Sequence, residues 1–288
     1  MNHLPAPMPE QTNPYQKAIP WVAWLLCLVL FEPVFCWLIH VWTTSFYDVH
    51  GALVPLIAAG MMLSRRQAIL HAPCAPSFIG LFVTGTGLVI LLASQLANFN
   101  LLGGVALVVV VTGMVWTLWG RTVLRLVSFP LAFLLLMLPI NYPLEMLIGF
   151  QLRILSTKLS ALLLGWLGVA TQVHGTIITT SHFVVSIESP CSGLKTLSAL
   201  LLVGLLLAYF LHKDWWRRSI IILAVAPMAL VANALRNTTI ILIGHNYGEQ
   251  AAMGWLHGFS GLVVFLLAIV LLILLSETLL WRPRSASS

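Results

Sequence analysis

The sequence predicts an all-α polytopic membrane protein, and its composition and the spacing of its apolar residues carry this prediction. Of the 288 residues, 60% are hydrophobic and 8% are charged, whereas roughly 25% of the residues in a soluble domain are charged. The apolar residues fall into blocks of about 20, the length at which a helix crosses a hydrocarbon core about 30 Å thick. Short basic clusters stand beside these blocks, as they do in the cytoplasmic loops of membrane proteins.

The apolar blocks predict about eight transmembrane helices. They cover residues 19–42, 51–63, 78–97, 101–119, 123–140, 192–211, 219–243 and 257–280. The second block is short for a span unless its helix begins near Ser45. Only residues 98–100 separate the third block from the fourth.

The basic clusters predict the orientation of the chain. They lie at residues 65–66, 121–125, 213–218 and 282–284, and we place all of them in the cytoplasm. Residues 1–18 are then a disordered cytoplasmic tail, residues 19–281 a single transmembrane domain, and residues 282–288 a second cytoplasmic tail. Because topology accounts for the net charge of +6, we expect no nucleic-acid partner.

Two outer segments differ from the spans. In residues 142–165, polar residues such as Arg153 and Lys158 interrupt the apolar ones, which predicts an amphipathic helix lying in the outer interface. The alternative is a ninth crossing, which would bury both cations. Residues 171–188 are rich in β-branched side chains and predict a short outer β-hairpin that leads to Pro190.

Arg236 is an ionisable residue inside an apolar block, a position that is costly unless the side chain meets a cavity or a partner. If its helix begins at Ser219, Arg236 lies at a height of about 26 Å, near the outer edge of the hydrocarbon core. Asn233 precedes it by three residues and shares its helix face. The alternative is an arginine that extends to the interface without a further function.

Cys191 is predicted at the start of a helix, because Ser189 is a suitable N-cap residue and Pro190 suits the first turn. Unpaired N–H groups and the helix dipole favour the thiolate there, and the thiolate is the reactive form. The other cysteines, Cys27, Cys36 and Cys74, have no such setting. No Cys-x-x-Cys pair occurs, so we expect neither a disulfide framework nor a metal site. An inert small residue is the alternative for Cys191.

His257 opens the last apolar block and is therefore predicted at the same depth and on the same side as Cys191 and Arg236. A lone histidine at an interface is more often structural than catalytic. Together, however, the three residues supply a nucleophile, a general acid and base, and a cation that stabilises an oxyanion.

These residues resemble the motifs of the exosortases and the related archaeosortases, a family of membrane proteins. The motifs are Cys191-Ser192-Gly193, Asn233-Ala234-Leu235-Arg236 and His257, and residues 49–55, 65–66 and 129–139 also resemble family segments. The resemblance covers roughly residues 45 to 270 and is closest to the bacterial type. The chain departs from the family pattern at Pro190 and in the position of Glu188, which puts a role for Glu188 in doubt.

The resemblance implies a cysteine protease or transpeptidase of the bacterial inner membrane, with both termini cytoplasmic and the site on the periplasmic side. Its partners would be membrane-anchored proteins with a C-terminal sorting signal, the lipid bilayer and exopolysaccharide machinery. Ser192, Gly193, Asn233 and His50 would support the site, and no cofactor or metal is expected.

Two other classes fit parts of the sequence. A transporter or polysaccharide-export component would also be polytopic and basic, but transport gives no reason for a cysteine at a helix start opposite a histidine. A membrane metalloprotease fits less well because the sequence contains no His-Glu-x-x-His motif.

Overall fold

The computed structural model describes residues 14–45, 48–187 and 193–280. Among these residues, six helices are long and apolar enough to cross a membrane, or seven if a bent N-terminal pair forms one span. The prediction of an all-α polytopic protein is confirmed. The chain divides into two compact units, Met1–Pro139 and Ile140–Ser288, so the expectation of a single domain stays a prediction.

The regular secondary structure in the described part of the first unit is all helical. Its α-helices are α1 (Pro14–Leu30), α2 (Glu32–Thr44), α3 (Leu53–Ser64), α4 (Arg66–Leu70), α5 (Phe78–Leu96) and α6 (Asn100–Phe133), with 3₁₀ turns at Val49–Ala52 and Leu134–Met137. The predicted disordered tail covers residues 1–18, but α1 begins at Pro14. Residues 14–18 are therefore helical. The rest of that tail and residues 281–288 lie outside the described residues.

The first two predicted spans take unusual forms. The block at 19–42 is a helix pair bent by 58° around Phe31, where Pro33 in the first turn of α2 has no N–H to donate back into α1. The block at 51–63 lies within the helical stretch Val49–Ser64. That stretch is shorter than the roughly 20 residues that a span needs.

Gly120 joins the fourth and fifth predicted spans into one helical run, α6. Its backbone has φ 85° and ψ −177°, a conformation that a glycine adopts at little cost. A Cβ atom at this position would also collide with the carbonyl oxygen of Ala75. The boundary between the blocks at 101–119 and 123–140 is therefore a break in a helix and not a loop.

The second unit contains the remaining helices and a small sheet. Its elements are α7 (Asn141–Leu144), a π-helical turn (Glu145–Gly149), α8 (Phe150–Trp166), β1 (Gln172–His174), β2 (Ile177–Thr179), β3 (Val184–Ser186), α9 (Leu194–Leu211), α10 (Trp215–Tyr247), α11 (Glu249–Met253) and α12 (Trp255–Leu280).

Part of the polar face of α8 is buried in the protein. Ser156, Thr157 and Ser160 are buried and α8 packs against α10, whereas Lys158 is exposed. Arg153 is ion-paired with Glu145 at 2.7 Å. The helical stretch Glu145–Trp166 is long and apolar enough to cross a membrane, and this length fits both the predicted interfacial helix and the alternative of a ninth crossing.

The predicted hairpin is part of a three-stranded antiparallel sheet, with β2 in the centre. The sheet packs through Ile178, Phe183 and Val185 onto Leu164 of α8 and Ile240 of α10. It therefore covers the C-terminal end of α10 and delivers the chain from that end toward α9.

Helices α9, α10 and α12 pack around a common apolar core. At the end of this bundle where α9 leads into α10, His212 is 2% exposed, and its Nε2 lies 2.8 Å from the hydroxyl of Ser276 in α12. Arg218 donates from Nε to the carbonyl oxygen of His212 at 2.8 Å. The turn between α9 and α10 is thus fixed to α12 by a buried histidine.

Acidification will destabilise this turn. Burial lowers the pKa of His212, and Arg217 and Arg218 lower it further against the opposing effect of Asp214. The unfolded chain therefore takes up a proton at a higher pH, and the folded state loses stability as the pH falls below about 6.5. We expect His212→Gln to flatten the decrease in the free energy of unfolding between about pH 7.5 and pH 5 in detergent.

His174→Gln is the control, because His174 is exposed on β1 and its replacement will leave the decrease unchanged. An unaltered decrease in His212→Gln would contradict this account.

Candidate active site

The Cys-Ser-Gly and Asn-x-x-Arg motifs meet where the chain enters α9. Gly193 is in the left-handed conformation, with φ 86°. A Cβ atom on it would lie 3.0 Å from both Cβ and Cγ of Asn233. Glycine permits both the backbone conformation and this close approach. The chain segment that carries the Cys-Ser-Gly motif therefore begins α9 directly against Asn233 of α10.

Arg236 lies one turn after Asn233 and packs across the backbone of α12. A Cβ atom on Gly261 would lie 3.1 Å from Nε of Arg236 and 3.6 Å from its Cδ and Cζ. The Arg236 Nε is buried. Since His257 precedes Gly261 by four residues in α12, the two share a helix face and are one turn apart. The backbone of His257 thus stands one turn above the contact between Arg236 and Gly261.

Asn233 is held by a buried hydroxyl that sequence reasoning missed. The amide of Asn233 donates from Nδ2 to Oγ of Ser156 in α8 at 2.8 Å, and Asn237 donates to the same oxygen at 3.0 Å. All three residues are nearly or fully buried. Two amides that are one turn apart on α10 therefore share one acceptor, which fixes how α10 is rotated against α8.

Ser160 adds a second contact between the same helices. Its hydroxyl lies 2.8 Å from the carbonyl oxygen of Ser156 and 3.1 Å from that of Ala234 in α10. At the other side of the site, Ser198 in α9 donates to Oδ1 of Asn141 in α7. Helix α10 is thus hydrogen-bonded to α8, and α9 is hydrogen-bonded to α7.

Lys195 is a second cation of the site that the sequence prediction did not include. It lies in the first turn of α9 and is partly buried, close enough to Arg236 for their charges to repel each other. Its position two residues after Gly193 is the signal that could have identified it. Lys195 and Arg236 thus bring two cationic side chains close together in the second unit.

The structure describes some of the predicted site residues and not others. It brings together Gly193, Asn233 and Arg236. The positions of Cys191 and Ser192, and the side chain of His257, lie outside the described part of the chain. His50 lies in the 3₁₀ turn Val49–Ala52 of the first unit, so its role stays a prediction.

The start of α9 differs from the prediction. The cap at Ser189 and the first turn at Pro190 would have placed Cys191 inside the helix, but α9 begins at Leu194, with Gly193 as its N-cap residue. A left-handed residue cannot continue a right-handed helix. The predicted cap at Ser189, the first turn at Pro190 and Cys191 itself lie outside the described residues.

The sequence profile of the transmembrane exosortase family matches residues 42–274. This chain belongs to the exosortase family. Comparisons with curated proteins and with solved structures give no significant match. The family match includes every described element that contributes to the site, from α7 to most of α12.

In this exosortase, motif residues pack against neighbouring helices. The glycine of Cys-Ser-Gly contacts the asparagine of Asn-x-x-Arg, and the arginine contacts the helix that carries the histidine in its first turn. The arrangement holds the Arg236 cation one turn from the contact between Gly193 and Asn233.

Replacing Ser156 will destabilise the site more than replacing its neighbour Ser160. In Ser156→Ala, two buried amide donors lose their acceptor, and each unsatisfied buried group costs about 1–3 kcal/mol. In Ser160→Ala only carbonyl oxygens lose a partner, and these oxygens can still accept helix N–H groups. We expect a clearly lower free energy of unfolding for Ser156→Ala, measured in detergent by chemical denaturation.

Ser160→Ala is the matched control for this comparison, since the residue is equally buried on the same helix face. Equal stability losses in the two variants would contradict the role of the shared acceptor.

Proposed function

We propose that this exosortase is a membrane-embedded cysteine protease or transpeptidase. Its substrates would be exported proteins that end in a sorting signal made of a Pro-Glu-Pro-type motif, a transmembrane helix and a basic tail. Cys191 is the nucleophile, Arg236 stabilises the oxyanion and His257 is the general acid and base. The reaction proceeds through a thioester.

The observation that supports this proposal is that two motif residues of α10, Asn233 and Arg236, contact the start of α9 and the first part of α12. Gly193 contacts Asn233, and Arg236 contacts Gly261 one turn from His257. Cys191 precedes Gly193 by two residues, so chain connectivity limits the distance between their Cα atoms to about 7 Å. A nucleophile, a cation and a histidine are thereby restricted to one region.

The charges of the site support a reactive thiolate. Cations near a cysteine lower the energy of the thiolate relative to the thiol, and Lys195 and Arg236 lie together at the start of α9. The first N–H groups of α9 add a positive partial charge.

In the proposed reaction the Cys191 thiolate attacks the carbonyl carbon of the scissile peptide bond. The carbon–sulfur bond forms, and negative charge develops on the carbonyl oxygen, which Arg236 stabilises. The carbon–nitrogen bond then breaks as His257 donates a proton to the leaving amine. Water or an acceptor nucleophile finally attacks the thioester, transfers a proton to His257 and releases Cys191.

The length of α10 supports a site at one membrane surface. Trp215 and Trp216, both exposed at its start, are typical of the membrane–water interface. Arg236 comes 21 residues after Trp215, at a height of about 32 Å along the helix, which is close to the thickness of the hydrocarbon core. With the basic residues 213–218 in the cytoplasm, the site faces the periplasm in a bacterial inner membrane. The exopolysaccharide machinery is a further proposed partner.

Cys191→Ala will abolish substrate processing without preventing membrane insertion. The thiolate is the only group that forms the acyl intermediate in this proposal, so neither alanine nor serine can replace it at a comparable rate. The measurement is the conversion of a membrane-anchored substrate by membranes that contain equal amounts of each variant. Normal processing by Cys191→Ala would refute the proposed nucleophile.

The controls are Cys27→Ser, Cys36→Ser and Cys74→Ser, each of which will be tolerated because none of these cysteines belongs to the site. Single-cysteine versions also test the orientation. An impermeant thiol reagent added from outside will label Cys191 in preference to Cys74, and the reverse pattern would overturn the orientation.

Arg236→Lys will be severely impaired although its charge is kept. A guanidinium offers paired donors in a planar fork, whereas an ammonium is a point charge. Removal of one oxyanion donor lowers a protease rate by about 10² to 10³, and Arg236→Ala will lose at least that much. The measurement is the single-turnover rate at equal protein levels in the membrane.

The control is Arg121→Lys, which conserves the charge of an exposed cytoplasmic cluster and will leave the rate unchanged. A wild-type rate for Arg236→Lys would reduce Arg236 to a structural residue and weaken the whole triad.

A further inference from the structure

An apolar furrow runs along α10 and α12 below Arg236. Its volume is about 210 Å³, and every side chain that lines it is apolar. Val231 of α10 and Leu267 and Leu271 of α12 form its rims and are about half exposed, while Ala232 and Ala268 form its buried floor. The small floor residues leave space between the rims in a region where both helices are long enough to lie in the membrane.

The furrow is continuous with the candidate active site. Its upper end is lined by Leu235 and Val264. Leu235 is the residue before Arg236, and Val264 lies one turn after Gly261, the residue on which the Arg236 side chain packs. A polypeptide that leaves the region of Arg236 toward the membrane interior therefore meets this furrow first.

The chemistry of the lining determines what can fill it. Among the described residues no polar side chain faces the furrow, so a polar peptide segment would lose its hydrogen bonds to water without replacement. A transmembrane helix satisfies its own backbone hydrogen bonds. Helices in membranes also pack closely where small residues such as alanine occur.

We propose that the α10–α12 furrow binds the transmembrane helix of a membrane-anchored substrate and thereby positions the peptide bond outside that helix at Arg236. The inference rests on the proposed protease function. Binding in the furrow replaces a search through the membrane by a fixed orientation, which lowers the entropic cost of reaching the reactive arrangement.

Photocrosslinking tests the occupant directly. A photoreactive phenylalanine analogue is placed at Val231 or Leu267 in a Cys191→Ala background, so that the probe is bound but not converted. Leu223 and Leu266 are the matched control positions, because they are exposed on the same two helices but do not line the furrow. The probe is a single-span peptide with an outer Pro-Glu-Pro segment, a Leu-Ala helix of about 20 residues and a basic tail.

We expect probe adducts at positions 231 and 267 in large excess over those at 223 and 266. Equal adducts at all four positions would overturn the proposal. Adducts with lipid alone, or with a second copy of the chain, at 231 and 267 would overturn it as well. Because the Cys191→Ala protein is inactive in the proposed reaction, this result does not depend on catalysis.

Furrow-filling substitutions give a second measurement. Val231→Trp and Leu267→Trp will lower the processing of the membrane-anchored probe by about tenfold, because an overfilled packing site excludes a third helix. Leu223→Trp and Leu266→Trp will process it at the wild-type rate, with all four variants equally stable in detergent. Unchanged processing by the two furrow variants would contradict the proposal.

The two experiments distinguish a failure of the furrow proposal from a failure of the proposed protease function. Selective crosslinking without any processing by the wild-type protein would refute the proposed protease and leave the furrow as a helix-binding site. Normal processing without selective crosslinking would refute the furrow and leave the protease.

Discussion

The second unit depends on one buried oxygen, the hydroxyl of Ser156, which accepts hydrogen bonds from Asn233 and Asn237. Within a membrane an amide that loses its partner has no water to replace it, and the cost reaches several kcal/mol. Rotation of α10 by even one residue would separate both amides from Ser156. The hydroxyl thus fixes the face of α10 that carries Asn233 and Arg236, and with it the direction in which the arginine extends.

Two glycines allow α10, held in this rotation, to approach the neighbouring helices closely. Gly193 brings the start of α9 against Asn233, and Gly261 lets the guanidinium of Arg236 lie across α12. A side chain at either position would crowd its neighbour, since a Cβ atom would stand within 3.1 Å of Asn233 or Arg236 and the neighbour would have to shift by a few tenths of an ångström. The glycine in the Cys-Ser-Gly motif therefore has a packing role besides any effect on the cysteine before it.

Most of the membrane-spanning architecture could be predicted from the sequence, because apolar blocks of about 20 residues have few other uses. Two details of the second unit could not be predicted because they depend on tertiary contacts. The polar residues that α8 buries are identified only once Asn233 and Asn237 are known to donate to Ser156. The start of α9 is predicted too early because Ser189 and Pro190 match a cap, whereas the left-handed Gly193 sets the actual boundary.

The candidate site was predictable in part for a related reason. An ionisable residue inside an apolar block is unusual, so Arg236 and its neighbour Asn233 could be identified as candidate site residues from the sequence. Ser156 and Gly261 could not, because a serine in a mixed helix and a glycine in an apolar one are ordinary residues. Their roles arise only from what stands opposite them. Lys195 could be predicted only in part. Its charge is evident in the sequence, but only the structure shows that it lies close to Arg236.

Helix α10 continues for eleven residues beyond Arg236, to Tyr247, and the three-stranded sheet is packed against this extension. The sheet and the arginine are therefore parts of one rigid body, because a continuous helix cannot shorten between them. In a protease that cuts near the membrane surface, such a rigid body would hold the site at a fixed height above the membrane. It sets the height at which a peptide bond can be cut, so the number of residues between that bond and the membrane would be a fixed property of every substrate.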